Sequence, residues 1–149
     1  MIELDFDLPI PQGFKVFLKM EVAGCYYHLK AVHAFASGTD QAVTIEPEPD
    51  NPHDPNAIKL IGWYENPWGI YEGTHLGYVE KETAKELNRH VPLDTVQARL
   101  VRIWVGDNPE YCAVRFALLA TNDVVQHWKQ ATAEDRKRAA PKDRKWKAK

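Results

Sequence analysis

Residues 46–60 read EPEPDNPHDPNAIKL, and this stretch decides how the chain folds. Pro47, Pro49, Pro52 and Pro55 each fix φ, remove a backbone donor and push the preceding residue away from helix. Asn51 and Asp54 stand before prolines, where short polar side chains close turns on their own backbone. The spacing predicts a rigid, exposed loop that feeds a strand at Ala57. Such a loop either holds polar groups for a ligand or is simply a stiff connection.

Working outward, Ile58 and Leu60 alternate with Lys59 as the next strand, and Ala42 to Ile45 form a short strand before the loop. Upstream, Phe14, Val16, Leu18, Met20 and Val22 alternate with Lys15, Phe17, Lys19 and Glu21, which is period two. Residues 1–13 end in Pro9, Pro11 and Gly13 and read as an irregular lead-in. The short run LKAVHAFA after Tyr26, Tyr27 and His28 fits either a helical turn or a strand. Downstream, Gly62 to Gly73 reads as a long aromatic loop, either a stacking surface or a cover for a barrel end, with covering slightly favoured. Thr74 to Val79 is a brief strand.

Glu80 to His90 is the clearest helix, with acids near its start and Lys85 and Arg89 near its end. In Thr95 to Val105 the apolar phase shifts from Val96, Ala98 and Leu100 to Val101, Ile103 and Val105, which predicts a bulge or a sharp bend. Gly106 to Pro109 is a turn, and Tyr111 to Ala120 returns as a strand. Val124, Val125 and Trp128 give a last short helix an apolar face, over 122–132, before a basic tail at 133–149 expected to be disordered. The expected fold is mainly β with one or two helices, a small, partly closed antiparallel barrel over 14–121.

Composition bounds the function. A chain of 149 residues with 44% hydrophobic residues predicts one domain with a real core. No apolar run is long enough for a membrane span, and the acidic start MIELDFDLPIPQG lacks the basic region of a signal peptide. Cys25 and Cys112 have no metal-site spacing and read as buried free thiols, which predicts a cytoplasmic protein. The net charge of −2 hides an asymmetry: residues 1–128 carry −8 and residues 129–149 carry +6. An acidic body does not grip long duplex DNA over its whole face; the tail either attracts phosphates or is a solvated end.

No Walker A, G-x-G-x-x-G, H-E-x-x-H or G-x-S-x-G pattern occurs, so neither catalysis nor a cofactor is expected. One enzymatic alternative has Glu46, Glu48, Asp50, His53 and Asp54 ligating a divalent metal in a nuclease or phosphodiesterase site. The other reading is a binding module for a nucleic-acid end. Tyr26, Tyr27, His28, His53, Tyr78 and Tyr111 are flat side chains at loop–strand junctions, able to stack on any base. Lys81 meets a phosphate together with the free amides of a helix start. Asp54 repels phosphates and makes sense there only as acceptor for a hydroxyl.

Residues 16–87 resemble the HIRAN domain. The resemblance rests on VAG at 22–24 before an aromatic pair, on EPDNPHDPNAIKL at 48–60, and on LGYVEKETAKEL at 76–87. It implies an OB-like barrel that binds single-stranded DNA and recognises its 3′-hydroxyl end, in repair or replication. By matched position, Asp54 would accept the terminal hydroxyl and Asn51 would shape the pocket. Tyr27 and His53 would flank terminal bases, Lys81 would contact a phosphate, and Tyr111 would extend the aromatic floor. Tyr26 stands where a basic residue is common, and His53 where an aromatic is usual. The implied partners are single-stranded or 3′-ended DNA and a helicase or other repair protein, with no membrane. The alternative is a protein-interaction module that uses the aromatic loop at 63–71.

Overall fold

The computed structural model describes residues 1–108 and 110–147, with side chains through residue 139. In chain order it contains β1 (Ile2–Asp5), β2 (Phe14–Glu21), a 3₁₀ turn (Cys25–His28), α1 (Leu29–Ser37), β3 (Thr39–Pro47), β4 (Ile58–Glu65) and β5 (Tyr71–Tyr78). There follow α2 (Lys81–His90), a second 3₁₀ turn (Leu93–Thr95), β6 (Gln97–Val105), β7 (Cys112–Thr121) and α3 (Asn122–Lys147). Among the described residues no helix is long and apolar enough to cross a membrane.

The strands form two antiparallel sheets, ordered β1-β6-β7-β2 and β3-β4-β5. A bridge joins them: the Ala23 amide donates to Tyr78 O at 2.8 Å, and the Tyr78 amide donates to Ala23 O at 2.9 Å. The end of β2 thereby passes from β7 in one sheet to β5 in the other, which partly closes the barrel. Gly77, with φ 151°, makes that junction possible, because a Cβ there would lie 2.5 Å from Ala23 O.

The core lies between the sheets and is capped by α1, with Phe35, Ile58, Leu60, Leu76, Ile103, Phe116 and Leu118 fully buried. The mainly β, partly closed antiparallel barrel is the expected fold. The phase change in β6 is also as expected: its register against β7 shifts between Leu100 and Arg102, so Val101 is the extra residue.

Three local expectations are corrected, and one open reading is resolved. Residues 2–5 are not an irregular lead-in but a strand, β1, paired with β6. Ile2, Leu4 and Phe6 alternate with Glu3, Asp5 and Asp7, and Arg102 holds both Glu3 and Asp5. The run LKAVHAFA, which fitted either a helical turn or a strand, is helical and buries Val32, Phe35 and Ala36. The region 62–73 is not a long loop but the β4–β5 hairpin, with its turn at Asn66. Its glycines read as chain breakers, yet Gly62 and Gly73 sit within strands. A Cβ at Gly62 would meet the Phe35 ring at 2.7 Å, and one at Gly73 the Trp63 ring at 2.8 Å.

The third correction concerns the end of the chain. A single helix, α3, runs on through Lys147, where a helix ending at 132 and a disordered tail were expected. Trp128, Ala131 and Thr132 are buried, and Asp135 accepts from His90 at 2.8 Å, so packing carries the helix past the expected stop. The Trp128 ring meets Phe17 edge-on at 5.7 Å. Residues 148–149 of the expected tail, and Pro109 of the expected turn, lie outside the described residues.

Candidate nucleic-acid site

The proline loop is closed by its own polar side chains. Asn51 Oδ1 accepts from the amides of His53 at 2.9 Å and Asp54 at 3.0 Å. Asp54 Oδ1 accepts from the Asn56 amide at 2.9 Å, and Asn88 on α2 donates to Asn56 O at 2.7 Å. The loop is thereby pinned to the helix that follows β5. Between loop and helix lies a cavity of about 310 Å³, lined by Asn51, His53, Asp54, Tyr78 and Lys81, with Ala57 and Val79 between them. Five of the nine sequence-predicted site residues thus meet at one place.

Glu48 organises this cavity from behind. Its Oε1 accepts from Asn51 Nδ2 at 2.6 Å and from the Tyr78 hydroxyl at 3.0 Å, and its Oε2 lies 3.3 Å from Lys59 Nζ. The hydrogen bond from Asn51 holds the Glu48 carboxyl below its ordinary range, against desolvation, with Tyr78 and Lys59 adding to it. Burial, followed by the Glu48 carboxylate, pushes the Tyr78 phenol up, so the hydroxyl stays protonated and donates.

A row of rings continues from Tyr78. His75 lies edge-on to it at 4.8 Å, and the His28 ring is 4.3 Å from His75. Burial first, then His28, lowers the pKa of His75, whose Nε2 is 2.9 Å from Gly77 O. His28 is therefore joined to the cavity through His75. Tyr26 and Tyr27 stand beside this row on the 3₁₀ turn, edge-on to each other at 5.5 Å, with Tyr27 83% exposed. Tyr111 is also exposed and precedes β7, outside the cavity.

One expectation about chemistry is corrected, and the metal alternative finds no support. Two amides at the start of α2 are not free for a phosphate, because the Glu80 carboxylate accepts from the Glu82 amide at 3.1 Å and the Thr83 amide at 2.9 Å. Those bonds hold the Glu80 carboxyl below its ordinary range. Lys81 therefore offers its ammonium without the help of those two amides. The acids of the metal reading do not converge either: among the described residues no three of His, Cys, Asp and Glu are grouped to hold a metal ion. Glu46 lies in β3 opposite Lys59 of β4, while Glu48 is engaged with Asn51, Tyr78 and Lys59.

Sequence reasoning gave Glu48 only a metal-ligand role, and it passed over Lys59 and His75. The spacing Glu48–Asn51 was a usable signal, since an i, i+3 pair across a turn can bond side chain to side chain. His75 carried no such signal.

The HIRAN domain family model matches residues 15–121. The chain belongs to the HIRAN domain family. The match spans β2 to β7, so it contains the proline loop, the cavity and the Ala23–Tyr78 junction.

Among solved structures, this HIRAN domain is similar to the crystal structure of the HIRAN domain of human HLTF. The two are 21% identical, with 81% of this chain and 94% of that one covered, at a TM-score of 0.46. The NMR structure of the HLTF HIRAN domain in its DNA-bound conformation is 18% identical over 84% and 89% of the two chains, with a TM-score of 0.49. No curated protein matches the chain.

Proposed function

We propose that this HIRAN domain binds nucleic acid, specifically single-stranded DNA at its 3′-hydroxyl end, and serves DNA repair or replication in the cytoplasm. The observation behind the reading is the pairing of Asp54 and Lys81 in one cavity. Only Oδ1 of Asp54 has a hydrogen-bond partner among the described residues, which leaves its second oxygen as an acceptor. A carboxylate repels a phosphate but accepts from a hydroxyl, whereas an ammonium attracts a phosphate. A strand end with a free 3′-hydroxyl offers both groups one nucleotide apart; an internal stretch offers only phosphates. His53 and Tyr78 supply flat faces in the cavity, and the exposed Tyr26, Tyr27 and Tyr111 supply sequence-tolerant stacking beside it. DNA binding is also what is stated of the HLTF HIRAN domain. A helicase or other repair protein is the proposed companion.

Fluorescence anisotropy with short single strands ending in a 3′-hydroxyl or a 3′-phosphate tests this directly. The hydroxyl end should bind about tenfold or more tightly, the value of one hydrogen bond to a charged group. Equal affinity for both ends would overturn end recognition, and no affinity for either would overturn DNA binding.

One observation favours a second reading, a protein-interaction module. At the β4–β5 hairpin Trp68 is 82% exposed and is joined by the exposed Ile70 and Tyr71, an apolar tip open to solvent. In that case Trp68→Ser with Tyr71→Ser abolishes a nuclease-resistant pull-down and leaves oligonucleotide binding unchanged.

A further inference from the structure

Cys25 and Cys112 are 87 residues apart in sequence, yet their sulfurs lie 3.0 Å apart. Both are free thiols and half-buried, so a small oxidant can reach them. Cys25 opens the 3₁₀ turn that carries Tyr26 and Tyr27, and its thiol also donates to Cys112 O at 3.4 Å. Cys112 opens β7 and directly follows the exposed Tyr111. The two sulfurs thus join the two segments that carry the exposed tyrosines.

We propose that Cys25 and Cys112 form a reversible thiol–disulfide site that clamps the 3₁₀ turn to the start of β7. The inference goes beyond nucleic-acid binding and stands whether or not that reading holds. The oxidant class is a low-molecular-weight disulfide such as glutathione disulfide. The Cys25 thiolate attacks one of its sulfurs, forms a mixed disulfide and expels one glutathione thiolate. Cys112 then loses its proton and attacks the Cys25 sulfur, expelling the second glutathione. Two protein thiols are oxidised, one glutathione disulfide is reduced to two thiols, and no other reactant is needed. Burial, and after it the hydrogen bond to Cys25, pushes the Cys112 thiol up to about 12, in keeping with Cys25 as the first attacker. In a reducing compartment the dithiol is the resting form and the disulfide a transient response.

The test equilibrates the full chain in glutathione buffers of graded ratio, quenches by alkylation and reads the mass. The folded chain should lose two hydrogens and take no alkyl groups, with its midpoint at a ratio at least tenfold more reducing than that of the same chain in urea. Identical midpoints, two alkylated thiols across the series, or glutathione adducts that never resolve would overturn the site. Cys25→Ser and Cys112→Ser should each stop at a single adduct. In hydrogen exchange the amides of 25–28 and 111–113 should slow in the oxidised form, and unchanged exchange there would overturn the clamp.

Discussion

The Tyr78 hydroxyl donates to Glu48 Oε1 at 3.0 Å across a separation of 30 residues, tying the last residue of β5 to the proline loop. The same carboxylate holds Asn51, and Asn51 closes the turn that presents His53 and Asp54. This bond, with the Lys59–Glu48 pair, ties strand to loop at the cavity wall. Tyr78→Phe removes the donor and keeps the ring, and should cost about 1 kcal/mol in urea unfolding. Glu48→Gln should weaken the same contact, and the double variant should be less destabilised than the sum of the singles. Strict additivity would mean that the bond does not couple strand and loop.

Asp54→Ala should leave the fold near wild type, since only the bond to the Asn56 amide is lost. It should bring the affinities for 3′-hydroxyl and 3′-phosphate ends to within about twofold of each other, against tenfold or more for the parent chain. Anisotropy titrations on the two ends give the comparison. A variant that weakens equally on both ends would deny Asp54 the role of hydroxyl acceptor.

The pH response follows from His75. Its pKa in the folded chain lies below the ordinary 6.5, so the unfolded chain binds the proton first as pH falls. Stability is complete above the ordinary value and declines as pH drops from there toward the lowered one. Glu48 adds a separate acid loss, because its lowered pKa contributes stability that is present above its ordinary 4.5 and disappears as pH falls through the folded value. Thermal unfolding between pH 7.5 and 5 should show the first decline, and His75→Gln should flatten it. A wild-type midpoint constant over that range would contradict the assignment.

A deletion that begins at residue 140 keeps the buried residues of α3 in place. Residues 140–149 carry a net +4 and lie beyond Trp128, Ala131 and the His90–Asp135 pair. Deleting them should leave the unfolding midpoint unchanged. It should also reduce the slope of log affinity against log salt for single strands by about 1–3, the loss of a few released counterions. Deleting from 129, by contrast, removes buried Ala131 and Thr132 and should destabilise the fold. An unchanged salt slope in the shorter deletion would show that this segment is no phosphate-binding arm.

Local chemistry made much of the molecule legible beforehand. The four prolines at 47–55 and the turn-forming Asn51 and Asp54 marked the loop, because φ restriction and Asx bonding act within a few residues. The apolar phase change at Leu100–Val101 marked a bulge or sharp bend for the same reason: with a side-chain period of two, a one-residue shift moves the apolar set to the other face. Less was legible where one residue type serves two purposes. Gly62 and Gly73 look like breakers, but each makes room for a ring from elsewhere, Phe35 or Trp63. Ile2, Leu4 and Phe6 carried a strand period that the prolines after them obscured.

By itself the sequence determined the loop, the strand phases, α2 and the family, since all of these are written in short-range spacing. Only the tertiary structure decided that Glu48 serves Asn51, Tyr78 and Lys59 rather than a metal, and that Glu80 occupies the helix amides beside Lys81. Only there, too, do Cys25 and Cys112 meet. Each of these pairings depends on where distant segments cross, and a carboxylate or a thiol carries no mark in the sequence of the partner that folding will bring to it.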